Sequence, residues 1–327
     1  MQTQAVRLYE YGGASNFRYE TVELSEPQEG EVTLKQHAIG LNYIDVYHRT
    51  GLYPTPDLPC VIGMEASGTV TAIGKGVTDL QIGDRVAYAT MPLGAYCAER
   101  NIAADRVAKL PDSISLEQGA AMMLQGMTAE YLLRRTFPVQ AGDTILYHAA
   151  AGGVGLILCQ WAKKLGATVI GTVGNQEKAE LARLHGCDHT ILYKDEDVVA
   201  RVKDFTDGKG VSVVYDGVGK DTWTISLDSL KPRGMMVSFG NASGMVPAME
   251  LSELASRGSL FLTRPSLMTY TANSQDMRDS AAALFEVVGN ESVKIEINQS
   301  YALSDAAQAH KDLEARKTTG SSIMLAD

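Results

Sequence analysis

The order of apolar and polar positions gives the two halves of the chain different periods. In the first half, the stretch EVTLKQHAIGLN alternates through Val32, Leu34 and Gln36, which is typical of a strand with one buried face. The stretch ASGTVTAIGKGVTDLQIGDRVAYA contains two β-rich runs that are separated by glycine-rich turns. Residues 1 to about 124 are therefore predicted to form short strands and turns that close into a small, irregular β-barrel.

From about residue 140, strands alternate with helices. The strand TILYHA precedes the helical stretch GVGLILCQWAKKLG, and the alternation continues through the strands TVIGTV, HTILY, VSVVYDGV and MMVSFG. Strands and helices of these lengths predict right-handed βαβ units and a doubly wound parallel sheet. The predicted fold class is therefore α/β, with a doubly wound parallel sheet that follows a smaller β domain.

After Pro265 the pattern is mixed. A helix is predicted near residues 276–288, followed by a strand at VKIEI and by a tail that closes with EARKTTGSSIML. We expect this tail to return to the first domain. The predicted division is therefore 1–124 and 266–327 for the β-barrel domain, and 125–265 for the Rossmann domain.

Composition narrows the classes of protein to which the chain can belong. The 327 residues are 45% hydrophobic and 21% charged, as in a globular protein, and no apolar run approaches the roughly 18 residues of a membrane span. The formal net charge is −10, so no broad basic surface favours nucleic acid or anionic lipid as a partner. The four cysteines are scattered without a CxxC pair, which predicts reduced thiols and a cytoplasmic location.

A glycine cluster follows the strand TILYHA and opens the next helix. Aligned on the fingerprint G-x-G-x-x-G, the three positions are Ala150, Gly152 and Gly155, so alanine replaces the first glycine. Such a turn lets a pyrophosphate approach the backbone closely, and the helix N-terminus then offers free N–H groups and a partial positive charge. Because strand, turn, helix and second strand follow in order, we expect a dinucleotide site over Gly152, Gly153, Val154 and Gly155.

The end of the second strand indicates which dinucleotide binds. An acid that binds the 2′-hydroxyl of NAD is expected there, but this chain has Gly174 and Asn175. These residues do not repel a 2′-phosphate. Lys178 follows one turn into the next helix, and Tyr193 ends the third strand. The pattern predicts NADPH, although Lys178 alone is equally consistent with a solvated lysine on a helix surface.

Three long stretches together resemble the quinone oxidoreductase (zeta-crystallin-like) family, a zinc-free branch of the medium-chain dehydrogenase/reductase superfamily. They are AIGLNYIDVYHRTGLYP, HAAAGGVGLILCQWAKKLGATVIGTVG and VSFGNASG…GSLFLTRPSL, and the resemblance runs from end to end of the chain. It implies a GroES-like catalytic domain made from both ends of the chain, a Rossmann domain that binds NADPH, a homo-oligomer and the reduction of quinones or activated enones.

The resemblance also assigns residues to the site. Asn42, Tyr47 and Tyr53 are expected to face the reacting groups, with Tyr53 or Tyr47 as a hydrogen-bond donor, while Asp45 and Arg49 hold the loop. Both tyrosines could instead simply pack in this loop. The residues expected to bind the cofactor are Asn42, Thr128, Gly152, Gly153, Val154, Gly155, Gly174, Asn175, Lys178, Tyr193, Phe239, Gly240, Asn241, Leu267 and Arg316. Arg316 could instead be a cation at a helix C-terminus.

No metal is expected. Relatives that carry catalytic zinc use two cysteines and the histidine of a Gly-His-Glu motif, but this chain has Asn42 at the first position and Gly63-Met64-Glu65 at the motif. A zinc site needs three or four converging ligands, and the six histidines show no paired spacing. Quinones and conjugated enones accept hydride without a Lewis acid, so the protein has mainly to hold the reactants together and place donors near the developing oxyanion.

The acceptor stays open at this stage. The first hypothesis is an NADPH-dependent quinone oxidoreductase, and the alternative is a reductase of activated C=C bonds in small enones or haloacrylates. A third reading, from another class, is a non-catalytic crystallin-like or RNA-binding protein. Met64 stands where close relatives have a small residue, and Gln125 stands where a lysine is common, so both leave the size and identity of the acceptor in doubt.

The stretch GSLFLTRPSL predicts how two chains associate. It contains a short apolar strand, Ser259–Pro265, at the expected edge of the Rossmann sheet. An exposed edge strand is a liability that pairing across a two-fold axis removes. We therefore expect a homodimer through this strand, unless the chain covers the edge with its own residues.

Overall fold

The chain divides into two compact units. The computed structural model describes residues 1–55 and 57–326; Pro56, and Asp327 at the end of the predicted first domain, lie outside this description. Unit 1 comprises Met1–Met127, Thr271–Gly289 and the chain from Ile295 onward, and unit 2 comprises Thr128–Tyr270 and Asn290–Lys294. The predicted boundaries after residues 124 and 265 correspond here to Met127 and Tyr270, and residues 290–294 lie in unit 2.

The strands are numbered in chain order. In unit 1 they are β1 (Gln2–Leu8), β2 (Phe17–Glu23), β3 (Glu31–Leu41), β4 (Cys60–Val61), β5 (Glu65–Ile73), β6 (Arg85–Ala89), β7 (Glu99–Ala103) and β8 (Ala108–Lys109). In unit 2 they are β9 (Thr144–His148), β10 (Thr168–Val173), β11 (His189–Leu192), β12 (Val211–Asp216), β13 (Leu230–Ser238) and β14 (Phe261–Thr263). Unit 1 then gains β15 (Ile297–Ala302) and β16 (Ser321–Leu325).

The α-helices are numbered in the same way. They are α1 (Tyr43–Thr50), α2 (Leu116–Tyr131), α3 (Gly153–Lys164), α4 (Gln176–Leu184), α5 (Val198–Phe205), α6 (Trp223–Asp228), α7 (Ser252–Ser256), α8 (Leu267–Tyr270), α9 (Ser274–Gly289) and α10 (Ala306–Glu314). In the part of the chain that the structure describes, no helix combines the length and apolar character that crossing a membrane requires.

Unit 1 is built on mostly antiparallel sheets. The larger sheet has the order β15-β16-β3-β5-β6-β8, with β7 also paired to β3, and the smaller sheet has the order β2-β1-β4. Leu34, Tyr88 and Tyr96 are fully buried in the apolar core between these strands. Val32, Leu34 and Gln36 on β3 are buried as the alternation predicted, and Thr33 between them is buried as well.

Unit 2 is a parallel sheet with the order β11-β10-β9-β12-β13-β14. Every pairing in it is parallel, and β12 is buried along its whole length because helices cover both faces. The strand order reverses between β9 and β12, and ligands of such sheets bind at the carboxyl ends of the strands beside this point. The prediction of a doubly wound Rossmann sheet is confirmed.

Two local expectations for unit 1 are wrong. The first 124 residues do not consist of strands and turns alone, because α1 and the start of α2 are helical. Helix α2 is buried on most sides, with Ala120–Met123 fully buried, so its sequence lacks the one-sided apolar period that identifies a surface helix. The strand expected at VKIEI begins only at Ile297, because the backbone of Lys294 is held instead by the side chain of Gln160.

Candidate functional site

The predicted phosphate turn lies at the carboxyl end of β9. The chain leaves the strand through Ala149, whose φ of 62° is left-handed, and Gly152 is the N-cap residue of α3. A Cβ on Gly155 would lie 2.6 Å from the carbonyl oxygen of Ala150, so only glycine fits there. Gly152–Gly155 thus lie together where α3 begins, and the first N–H groups of a helix have no partner within it and can bind an anion.

Behind this turn lies a buried run of polar side chains. The Ser226 hydroxyl donates to Asp216 Oδ2 at 2.7 Å, so His148 Nε2–H must donate to Ser226 Oγ, at 2.9 Å. Because burial lowers the pKa of His148, its ring is neutral and Nδ1 accepts from the Thr172 hydroxyl at 3.0 Å. Thr172 Oγ1 in turn accepts the N–H of Ala149 at 3.4 Å. Asp216 therefore sets the hydrogen-bond direction of the whole run up to the phosphate turn.

A Thr172→Val substitution should test this run. It keeps the shape of the side chain but leaves His148 Nδ1 buried without a donor, which costs about 1–3 kcal/mol. We expect the free energy of unfolding to fall by about that amount and NADPH to bind several-fold more weakly, because the turn at Ala149 loses its anchor. Urea denaturation and fluorescence titration measure the two effects. Thr172→Ser, which keeps the hydroxyl, is the matched control; equal behaviour of the two variants would contradict the assignment.

The residues predicted to select the dinucleotide lie at the ends of β10 and β11. Gly174 follows β10, and a Cβ there would lie 3.2 Å from the hydroxyl oxygen of Tyr193. Asn175 is the N-cap residue of α4, and its Oδ1 accepts the backbone N–H of Lys178 at 2.9 Å. The structure therefore brings these four residues together, and no acidic side chain occupies positions 174 and 175.

The end of β13 completes the carboxyl edge of this sheet. Phe239 N–H donates to the carbonyl oxygen of Asp216 at 2.8 Å, and a Cβ on Gly240 would lie 2.3 Å from the carbonyl oxygen of Gly217. Arg264 donates to the carbonyl oxygen of Gly240 at 3.1 Å. The predicted segment Phe239–Asn241 is thus held against the end of β12.

Two further predicted cofactor residues lie in unit 2 on helices rather than at strand ends. Thr128 is buried on α2 and hydrogen-bonds with Tyr131. Leu267 is buried at the start of α8, and Tyr270 at the end of that helix stacks on Tyr131 with ring centroids 4.5 Å apart. Binding of the cofactor by Thr128 and Leu267 stays a prediction.

In unit 1, Asn42 lies in a buried chain of hydrogen bonds. Asn42 Nδ2 donates to Glu65 Oε2 at 2.6 Å, and its Oδ1 accepts from Gln125 Nε2 at 3.1 Å. The chain continues to Ser321, whose hydroxyl donates to Gln125 Oε1 at 2.7 Å. At the other end, Glu65 Oε1 accepts the N–H of Leu124 at 2.8 Å. The four side chains that these hydrogen bonds join are all buried. Both polar atoms of the Asn42 amide are therefore bound by other groups of the protein.

Two fully buried carboxyl groups lie next to Asn42. Burial raises the pKa of Glu65 to about 8, although Asn42 and the backbone N–H groups lower it in part. Burial likewise raises the pKa of Asp45 to about 7. Asp45 Oδ2 accepts the Asn42 N–H at 2.9 Å and the Tyr96 hydroxyl at 3.0 Å, which holds the start of α1. A Cβ on Gly40 would lie 2.2 Å from Glu65 Oε2, so glycine makes room for this carboxyl group.

The tyrosines of α1 form an aromatic cluster in unit 1. The ring of Tyr47 lies between Tyr43 and Tyr53, with centroid distances of 5.5 and 5.1 Å. Tyr47 is buried, whereas Tyr53 is half-buried and its backbone N–H donates to the Tyr47 carbonyl oxygen at 3.1 Å. Tyr47 therefore packs between the other two rings, and contact of Tyr47 or Tyr53 with a substrate stays a prediction.

Arg316 also belongs to unit 1. It follows α10 with a left-handed φ of 58°, and its N–H donates to the carbonyl oxygen of Leu313 at 3.1 Å. Burial raises the pKa of Tyr43, Glu314 raises it further, and Arg316 and Arg49 lower it, so these charges lie around one phenol. Arg49 also donates to Glu314 at 2.7 Å. Arg316 therefore lies at a helix C-terminus among charged neighbours, and its contact with a cofactor stays a prediction.

The absence of zinc ligands rests on the identity of the side chains. Asn42 is engaged in the amide chain described above, and Met64, which replaces the histidine of the zinc-binding relatives, is 2% exposed. Within residues 1–55 and 57–326, no three His, Cys, Asp or Glu side chains form a group that could hold a metal ion. The prediction of a metal-free site is unchanged by the structure.

The chain is similar to known proteins over nearly all of its length. Residues 28–143 match the family of alcohol dehydrogenase GroES-like domains, and residues 153–291 match the family of zinc-binding dehydrogenases. The quinone oxidoreductase of Pseudomonas aeruginosa is 52% identical over 315 residues, which cover 96% of this chain and 97% of that protein. The chain belongs to the quinone oxidoreductase family. The resemblance found in the sequence, and with it the GroES-like and Rossmann fold class, is confirmed.

Other members of the quinone oxidoreductase family bear on ligand and acceptor. The crystal structure of Escherichia coli quinone oxidoreductase complexed with NADPH is 46% identical, with a TM-score of 0.97, and the match covers 98% of this chain and 99% of that one. A 2-haloacrylate reductase from Burkholderia sp is 45% identical, and the match covers 98% of each chain. The family thus contains proteins named for both of the acceptors considered from the sequence.

The sequence did not single out the buried polar residues that lie behind the phosphate turn of unit 2. His148, Thr172 and Ser226 carry no motif, because their role depends on contacts between three elements. Asp216 gave a usable signal: an acid at the end of an otherwise uncharged strand needs partners when it is buried, and here it also accepts the N–H groups of Val218 and Gly219 at 2.8 and 2.9 Å.

Proposed function

We propose that this protein is an NADPH-dependent quinone oxidoreductase that works without a metal. The observation that carries the proposal is the carboxyl edge of unit 2, where Gly174 and Asn175 leave the end of β10 without an acid and Lys178 and Tyr193 lie beside them. The family relative that is complexed with NADPH supports the same ligand.

Different residues would bind the cofactor and the acceptor. Gly152–Gly155 would hold the pyrophosphate at the start of α3. Lys178 would pair with the 2′-phosphate, and the Tyr193 hydroxyl would donate to it. NADPH, when bound, supplies a hydride. Tyr53 and the amide of Asn42 would donate to the oxygen of the acceptor on which negative charge develops, and solvent would provide the proton that completes reduction.

The acceptor can be identified with a panel of substrates. With NADPH in excess, the purified protein should reduce 1,2-naphthoquinone and 9,10-phenanthrenequinone with a higher kcat/KM than small enones or 2-haloacrylates, because quinones delocalise the incoming charge over two oxygens. Spectrophotometric loss of NADPH measures each rate. Fast enone or haloacrylate turnover beside negligible quinone turnover would replace the proposal with its alternative, a reductase of activated C=C bonds, which the 2-haloacrylate reductase relative favours.

A homodimer is the proposed assembly. Strand β14 is at one edge of the sheet of unit 2, and its Phe261 and Leu262 side chains are 58% and 40% exposed. Pairing of this edge with its counterpart across a two-fold axis would cover both side chains. Light scattering at micromolar concentration should give twice the mass of the chain, and Leu262→Lys should shift the mass toward that of one chain. A wild-type mass of one chain would contradict the assembly. The cytoplasmic location also stays a prediction.

A further inference from the structure

The buried chain of hydrogen bonds in unit 1 has a defined direction. Ser321 donates to Gln125, Gln125 donates to Asn42, and Asn42 donates to Glu65. Glu65 accepts at both carboxyl oxygens, since its other oxygen binds the Leu124 N–H. In each of these contacts a donor faces an acceptor when Glu65 is charged.

The same atoms also fit the opposite direction. If Glu65 carries a proton on Oε2, that oxygen can donate to Asn42 Oδ1 once the Asn42 amide turns by half a revolution. Asn42 Nδ2 then faces Gln125 Oε1, and a turned Gln125 donates to Ser321 Oγ. No heavy atom has to leave its position, because the oxygen and nitrogen of a side-chain amide are nearly equal in size.

The surroundings of Glu65 both raise and lower its pKa. Full burial raises its pKa, and the nearby carboxyl group of Asp45 on α1 raises it further. The hydrogen bonds that Glu65 accepts from Asn42 and from the backbone of Leu124 and Met123 lower its pKa. From β6, Tyr88 faces the same region, and because burial raises its pKa to about 12 it stays neutral. Helix α2 contributes backbone N–H groups, and β3 contributes Gly40, which carries no charge.

We propose that Glu65, Asn42, Gln125 and Ser321 form a relay whose hydrogen-bond direction reverses when Glu65 binds a proton, and that Gln125 is the positioning residue that transmits the reversal. The inference rests on the proposed function in one respect, namely that Asn42 meets the reacting groups. Each direction leaves Asn42 with one N–H and one oxygen lone pair unused, and reversal exchanges their places. The protonated direction is the active one, because a carboxylate beside Asn42 opposes negative charge that develops on the acceptor oxygen.

Activity profiles give the first test. Wild-type kcat/KM for 1,2-naphthoquinone is expected to fall several-fold as the pH rises through about 8, the pKa of Glu65. Glu65→Gln cannot ionise, so it should lose this titration, whereas Asp45→Asn should keep it. Gln125→Lys can donate but not accept, which holds the relay in the charged direction, and its positive charge also favours the Glu65 carboxylate, so it should lower the midpoint by about one unit or more. Gln125→Met, of similar size, should lower kcat without lowering the midpoint.

Control measurements distinguish a variant that fails to fold or to bind NADPH from one in which only the relay is changed. Circular dichroism and the Kd for NADPH, whose proposed phosphate-binding residues Gly152–Gly155 and Lys178 lie in unit 2, should be unchanged in each variant. A wild-type midpoint in Gln125→Lys, or an intact titration in Glu65→Gln, would overturn the relay. If Gln125→Lys does not fold, Gln125→Met and the neutron diffraction experiment described next still test the relay.

Neutron diffraction gives a test that does not depend on activity. In deuterium-exchanged crystals, Asn42 Nδ2 should face Glu65 at about pH 9.5 and Gln125 at about pH 6. The same amide orientation at both values would overturn the relay even in an active enzyme. Reversal in a protein that reduces neither quinones nor enones would instead sustain the relay and refute the proposed function, so the two failures are distinguishable.

Discussion

Gly174→Asp is expected to abolish the preference for NADPH and to favour NADH. The new carboxylate would lie at the end of β10, where it repels a 2′-phosphate and can accept hydrogen bonds from the 2′-hydroxyl of NADH. The backbone at Gly174 is not left-handed, and the nearest atom to a new Cβ is the terminal hydroxyl of Tyr193, so a small shift of that ring accommodates the change. We expect NADPH affinity to fall by at least tenfold, which corresponds to about 1.4 kcal/mol.

Two companion variants separate charge from bulk. Gly174→Asn has the size of aspartate without its charge and should keep most of the NADPH preference. Lys178→Ala removes the proposed partner of the 2′-phosphate and should weaken NADPH at least tenfold more than NADH. Paired fluorescence titrations with the two dinucleotides measure all of these constants. If wild-type protein binds NADPH and NADH equally, the missing acid means only a permissive site, and the cofactor assignment fails while the fold stands.

How far the sequence predicts this molecule depends on how local each feature is. The strands β9 to β13, the turn at Gly152–Gly155 and the acid-free end of β10 are set by neighbouring residues and were predicted. The edge position of β14 was predicted as well, because the strand is short and last in its series. Each of these features follows from neighbouring residues, such as an apolar periodicity, a glycine-rich turn or the absence of an acid at the end of a strand.

Features that depend on distant contacts were not predicted. In the relay, Asn42 bonds to Gln125, 83 positions along the chain, and Gln125 bonds to Ser321, a further 196 positions along. Gln125 looked only like a departure from related chains until its two hydrogen bonds were visible. Glu65 looked like the remainder of a lost zinc motif, yet it is the fully buried acid to which Asn42 donates. Burial and partner choice, which decide these roles, are properties of the folded chain.

The buried acids give unit 1 an unusual dependence of stability on pH. In the unfolded chain, Asp and Glu release their protons near pH 4, whereas the folded chain keeps them until about 7 for Asp45 and about 8 for Glu65. Between these limits the folded state binds more protons than the unfolded state, so the free energy of unfolding falls as the pH rises. This loss is complete about one unit above the pKa of Glu65, near pH 9.

Buried histidines act in the opposite direction at lower pH. Burial lowers the pKa of His310 to about 3, so the unfolded chain takes up a proton below about 6.5 that the folded chain does not. His148 has its pKa lowered by burial as well. Stability contributed by these rings is lost as the pH falls through about 6.5. The window from about pH 6.5 to 8.5 therefore isolates the two carboxyl groups.

Across that window the free energy of unfolding is expected to fall by about 2 kcal/mol, since one displaced proton contributes at most about 1.4 kcal/mol per pH unit. Urea denaturation at a series of pH values measures the slope. Glu65→Gln should remove most of the fall and Asp45→Asn a smaller part, because the pKa of Asp45 lies near the start of the window. Glu29→Gln, the same change at an exposed position, should leave the slope of the wild type. A wild-type stability that is flat or rises over this range would mean that Glu65 is already charged below neutral pH, and a relay held in the charged direction could not reverse near pH 8.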